Sequence, residues 1–158
     1  MKSASLSQIK KELAEYSPNQ MIELIIRLMK HKVENKELVS YLLFDADDIA
    51  EFLSLIKMEI DEIISQLDFR EGFHSKRGLK KCLRSITKYS KFMASKDAEV
   101  ELLVHFCKVV RTKCGQHYCP KPIQLIFHQT IEKIKKLLPS VHEDLQNDYI
   151  YEISNITK

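Results

Sequence analysis

Glycine is scarce in this 158-residue chain: Gly72, Gly78 and Gly115 are all it has, and proline adds only Pro18, Pro120, Pro122 and Pro139. So few turn-formers argue against the many tight turns of a sandwich or barrel. Long apolar runs are missing as well. The longest, Tyr41-Leu42-Leu43-Phe44, falls far short of the roughly 20 residues of a membrane-spanning helix. Between Met1 and Tyr16, residues Gln8, Lys10, Lys11 and Glu12 interrupt what would have to be a signal-peptide core. The expected setting is therefore cytoplasmic, with Cys82, Cys107, Cys114 and Cys119 reduced. What is present, 44% hydrophobic and 30% charged residues, suits a soluble globular chain able to close a core.

Apolar residues recur at helical spacing almost throughout. Leu6, Ile9 and Leu13 mark a short first helix that ends before Pro18, because a residue preceding proline is pushed out of the helical region. Ser17 then caps a second helix with Pro18 in its first position, where the missing N–H costs nothing. A short third helix spans Asn35 to Phe44. The longest pattern runs from Asp45 through Ile49, Phe52, Leu53, Ile56, Ile60, Ile63 and Ile64 to Leu67, with Asp45, Asp47 and Asp48 suiting the positive end of its dipole.

After a loop over 68–75, Ser75 is expected to cap a helix from Lys76 to Met93. Ser95 or Asp97 opens another to about Lys113. Ile123 to Leu138 forms a further helix stopped by Pro139, and Ser140 is expected to cap the last. About eight helices and no strand predict an all-α fold of antiparallel hairpins, either an irregular bundle or a short α-solenoid-like stack. The expectation is one domain over 1–158 with an internal seam near 68–75.

Three stretches together carry a resemblance. They are Leu13-Ala14-Glu15-Tyr16-Ser17-Pro18-Asn19-Gln20-Met21-Ile22-Glu23-Leu24-Ile25, then Lys76-Arg77-Gly78-Leu79-Lys80-Lys81-Cys82-Leu83-Arg84-Ser85-Ile86-Thr87-Lys88-Tyr89, and the helix pair that follows through Leu138. In order and spacing the chain resembles an uncharacterised family of small, all-helical bacterial proteins known only as a domain of unknown function. The resemblance implies a helical fold and a bacterial cytosolic setting, and it carries no catalytic residue across.

Charge is segregated along the chain. Residues 1–70 hold 9 basic and 13 acidic side chains, residues 71–121 hold 12 and 4, and residues 122–158 hold 4 and 5. At 100° per residue, Arg77, Lys81, Arg84, Lys88 and Lys91 fall on one stripe, widened by Lys80, while Leu79, Cys82, Leu83, Ile86, Tyr89 and Met93 face the other way. A ridge of this kind attracts an anion: an acidic protein surface or nucleic-acid phosphates. A solvated helix face has the same composition. Phe92, at the edge, is the one aromatic the pattern offers the ridge, which is poor for stacking bases. Membrane docking is not expected, because the apolar face is committed to a core.

A second cluster, His105, Cys107, Cys114, His117 and Cys119, spans fifteen positions. Cys114, His117 and Cys119 supply three donors that zinc accepts, with His128, His74 or Cys82 as the fourth, although the usual paired CxxC spacing is absent. The alternatives are ordinary small core residues or a redox-sensing Cys114/Cys119 pair. No Walker loop, GxSxG elbow, HExxH helix or dinucleotide fingerprint occurs. The expected function is a non-enzymatic module that binds another protein, with sequence-independent nucleic-acid binding through helix 76–93 and zinc binding as the alternatives.

Overall fold

The computed structural model describes residues 3–115 and 119–157, and these form eight α-helices. The chain divides into two compact units, residues 1–44 and 45–158. The first contains α1 (Leu6–Ala14), α2 (Pro18–His31) and α3 (Val33–Ser40), followed by a π-helical turn, Tyr41–Asp45. Both α1 and α2 begin with a reciprocal cap. The Ser5 hydroxyl accepts from the Gln8 backbone N–H at 3.3 Å, and the Gln8 side-chain carbonyl accepts from the Ser5 N–H at 2.9 Å. Ser17 and Gln20 repeat the arrangement, so each pair satisfies donors that a helix start leaves open. No side chain of α1–α3 is fully buried.

The second unit contains α4 (Ile49–Ser65), α5 (Gly72–Met93), α6 (Lys96–Cys114), α7 (Lys121–Leu137) and α8 (Glu143–Thr157). Each helix touches its successor or the one after it: α4 packs on α5 and α6, α5 on α6 and α7, α6 on α7 and α8. The polar pairs between helices fix their directions. Lys57 meets Glu101, Asp61 meets His105 and Ile64 meets Lys113, so α4 and α6 run parallel. Asp97 meets His142 and Lys108 meets Glu152, which makes α6 and α8 parallel as well. Glu59 meets Tyr89, Leu67 lies against Gly78, and Glu99 meets Lys133, so α5 and α7 run the opposite way. The all-α expectation holds, and this unit takes the form of two antiparallel rows, α4-α6-α8 and α5-α7.

At the centre lies α6, where Val100, Leu102, Leu103, Val104, Phe106, Cys107 and Val110 are all essentially excluded from solvent. Its polar residues serve as ties to neighbouring helices. Glu99, nearly buried, is held by Lys133 at 2.8 Å and Lys96 at 3.1 Å. Burial pushes its carboxyl upward, but the two ammonium groups outweigh that and hold its pKa below the ordinary 4.5. Lys113 donates to the carbonyls of Ile64 and Ser65, both at 2.6 Å, closing the C-terminal end of α4.

Two helix starts differ from their sequence reading. Helix α5 begins at Gly72, with Glu71 in the cap position and no side-chain cap bond. Ser75 lies buried inside the helix and donates to the Asp68 carbonyl at 2.6 Å. Ser140 likewise ends a 3-10 turn, Leu138–Ser140, and α8 starts at Glu143. The division of the chain falls between Phe44 and Asp45, while residues 68–75 lie inside the second unit. At Gly78 a Cβ would come within 2.5 Å of Leu67 Cδ2, so the absent side chain is what admits Leu67. Among the described residues no helix is long and apolar enough to cross a membrane.

Phe106→Ala should lower unfolding stability by about 3–5 kcal/mol in urea titration, as expected for a large cavity in a closed core. Truncating Ile150, 54% exposed, should change it by no more than about 0.5 kcal/mol. The Glu99 contacts predict a pH effect of definite sign. A carboxyl whose folded pKa is depressed contributes stability above its unfolded pKa, ordinarily 4.5, and loses it as pH falls through the folded value. Denaturation followed from pH 7 to pH 3 should show that loss, and Glu99→Gln should be less stable at pH 7 with a shallower decline in acid.

Candidate functional site

The ridge is built by α5. Its inner side is fixed by Leu79, Cys82 and Ile86, none of which reaches solvent, with Ser75, Phe92 and Met93 also buried. That leaves Arg77, Lys80, Lys81, Arg84 and Lys91 exposed and Lys88 half-buried on the outer side. From Arg77 to Lys91 the row extends about 21 Å, taking 1.5 Å per residue. Lys88 lies over the Tyr89 ring at 4.4 Å. Tyr89 is itself set between Phe52 and Phe92 in edge-to-face contacts and is bonded to Glu59 at 3.3 Å. Burial, then the Glu59 carboxylate, raise the Tyr89 phenol above its ordinary pKa of 10.

The aromatic residue available to the ridge is not Phe92, which is buried. It is Phe73, 75% exposed, in the first turn of α5 with the Arg77 guanidinium 5.9 Å from its ring centre. The earlier helix start is the reason: beginning at Gly72 brings residue 73 onto the helix, four positions before Arg77.

The ridge concentrates cations that make no ion pair among the described residues. Elsewhere in the unit Lys57, Arg70, Lys96, Lys108, Lys133 and Lys135 each lie within 3.1 Å of a carboxylate oxygen. Along the ridge, Lys80, Lys81, Arg84 and Lys91 enter no ion pair among the described residues. Their charge therefore meets solvent rather than a direct carboxylate contact among the described residues.

The cysteine and histidine cluster is dispersed by the fold. His105, half-buried, turns towards α4 and meets Asp61 at 2.7 Å. Cys107 faces the core, as does Cys82 on α5. Burial, together with the Glu59 carboxylate, pushes the Cys82 thiol up to about 11, and burial pushes Cys107 up to about 12. Both are inert as nucleophiles at neutral pH. Cys114 and Cys119 differ from the reduced state expected for them: a disulfide joins the end of α6 to the segment entering α7. The bridge closes a loop whose ends lie 4.9 Å apart at Cα, a separation a disulfide spans readily.

Around the bridge, Gln124 donates to the Cys119 carbonyl at 2.6 Å. A cleft of about 290 Å³ opens there, lined by both cysteines with Val110, Arg111, Phe127 and His128. Of the three residues proposed from sequence for zinc, Cys114 and Cys119 are thus brought together, with His128 on the same cleft, and His117 lies outside the described residues. His74 is exposed on α5 and Cys82 is in the core. Among the described residues no three metal-ligating side chains converge. Arg111 and the cleft carried no sequence signal, because their meeting depends on how α6, α7 and α8 pack.

No family model, curated protein or solved structure matches the chain. In the folded protein at pH 7, iodoacetamide should leave Cys82 and Cys107 unmodified. Unfolding in urea should expose both, which peptide mass mapping would register as two additional labelled sites.

Proposed function

We propose that this protein is a non-enzymatic helical interaction module that docks an acidic protein surface on the outer face of α5. The supporting observation is the concentration, on one helix face, of exposed cations without a carboxylate partner among the described residues. Lys80, Lys81, Arg84 and Lys91 enter no ion pair among the described residues and present their charge outward from one helix, whereas Lys57, Lys96, Lys108 and Lys133 each meet a carboxylate. A helix held by a fully buried inner face loses little freedom on binding, which favours association.

Phe73 and Arg77 add a second element at one end of the row. An exposed aromatic ring beside a guanidinium is the kind of anchor that dominates protein interfaces. One aromatic at the end of a cationic row fits a protein partner carrying carboxylates and an apolar contact better than it fits a strand of stacked bases.

The test is a paired charge reversal. Arg77→Glu, Lys81→Glu and Arg84→Glu together should lose the acidic partner that cross-linking and mass spectrometry recover with the unaltered protein, by at least about tenfold. The control Lys135→Glu, Lys136→Glu should retain it. Equal recovery by both variants overturns the ridge as the docking face. Competition by a short DNA duplex, with log affinity falling by about 0.9 per log unit of salt for each phosphate contact, would overturn it in favour of nucleic acid.

A further inference from the structure

We propose that Cys114 and Cys119 form a thiol–disulfide exchange site for a small anionic thiol that enters the cleft beside their bridge. Three features converge on it. The bridge is half-exposed, unlike the core thiols Cys82 and Cys107. It forms part of the wall of a cleft of about 290 Å³, close to the lower bound of small-molecule pockets, about 300 Å³. The same wall carries Arg111 and His128. Arg111 is exposed and enters no ion pair among the described residues, so its planar fork is available to a carboxylate. The apolar remainder, Val110, Phe127 and Ile156, suits the carbon skeleton of such a thiol.

The two sulfurs are not equivalent. Cys114 is the last residue of α6 and Cys119 immediately precedes Pro120, the cap residue of α7. Negative charge on Cys119 sits near the positive end of α7, and on Cys114 near the negative end of α6. Cys119 is the better leaving group, so an incoming thiolate attacks the Cys114 sulfur. The Cys114–Cys119 bond breaks, the electron pair leaves on Cys119, and a mixed disulfide forms on Cys114. A second thiolate attacks the outer sulfur of that mixed disulfide, releasing the symmetrical small disulfide and the Cys114 thiolate. The two protons given up by the incoming thiols end on the two cysteines. The protein gains two electrons and the small thiols lose them; with excess small disulfide the sequence runs backwards. Cys82 and Cys107 take no part.

The experiment uses the full chain in glutathione buffers of varied reduced-to-oxidised ratio, quenched in acid, alkylated and mapped by mass spectrometry. Cys114 and Cys119 should convert together, and Cys119→Ser, which cannot re-close the bridge, should accumulate the glutathione adduct on Cys114. Arg111→Gln should slow exchange with glutathione about tenfold, the loss of one charge-assisted contact, while leaving exchange with uncharged 2-mercaptoethanol unchanged. A bridge that no glutathione ratio opens overturns the proposal, including one that yields only to a protein dithiol. So does a rate unaffected by Arg111→Gln, and so does reduced protein that takes up one zinc ion and becomes inert to glutathione. None of these outcomes bears on the α5 ridge.

Discussion

Burying Val100, Leu102, Leu103, Val104, Phe106 and Val110 on a single helix requires neighbours on several sides, and α4, α5, α7 and α8 are those neighbours. An amphipathic helix needs one covering surface; a helix apolar around most of its circumference needs several. The two-row arrangement follows from that demand. With short connections the chain must reverse at each step, so alternate helices become parallel and α6 takes the middle of the longer row. The charged pairs Lys57–Glu101 and Lys108–Glu152 lie at the margins of these contacts. Partly exposed pairs of this kind contribute little energy each, and their use here is to fix the register in which the helices meet.

The ridge is a by-product of the same geometry. Helix α5 belongs to the shorter row, in contact with α4, α6 and α7, and one long side of it is exposed. That side holds cations and no carboxylate of its own, because α5 carries neither Asp nor Glu between Gly72 and Met93. Segregation of charge in the sequence thus survives as segregation on the surface.

Much of this was legible in the residues because it is local. Ser17 starts its helix as read, and of the two starts read for α6, Ser95 and Asp97, it is Ser95 that caps it, both through a hydroxyl that accepts a local backbone N–H. The Leu53, Ile56, Ile60 and Ile64 stripe of α4 is buried as its spacing requires. The failures share a different cause. Ser75 carries the signal of a cap, yet the helix starts earlier behind Glu71, whose side chain makes no cap bond, and the serine is drawn into the core by the Asp68 carbonyl. The same shift carried Phe73 out of its expected loop onto the ridge. Phe92, on the edge of an ideal helical wheel, is buried beside Tyr89. The Cys114–Cys119 bridge and its cleft depend on the meeting of helix ends, which no periodicity encodes.

A row of helices in which each touches only its near successors has ends as well as a middle. Helix α4 closes one end and leaves Leu55 and Met58 exposed; α8 closes the other and leaves Ile150 and Tyr151 exposed. Loosening either end helix removes one set of neighbours from α6 and leaves the others in place, whereas loosening α6 removes support from all of them. Fluctuations should therefore be graded, with the terminal helices fraying in local excursions and amides of α6 exchanging only when the whole unit opens.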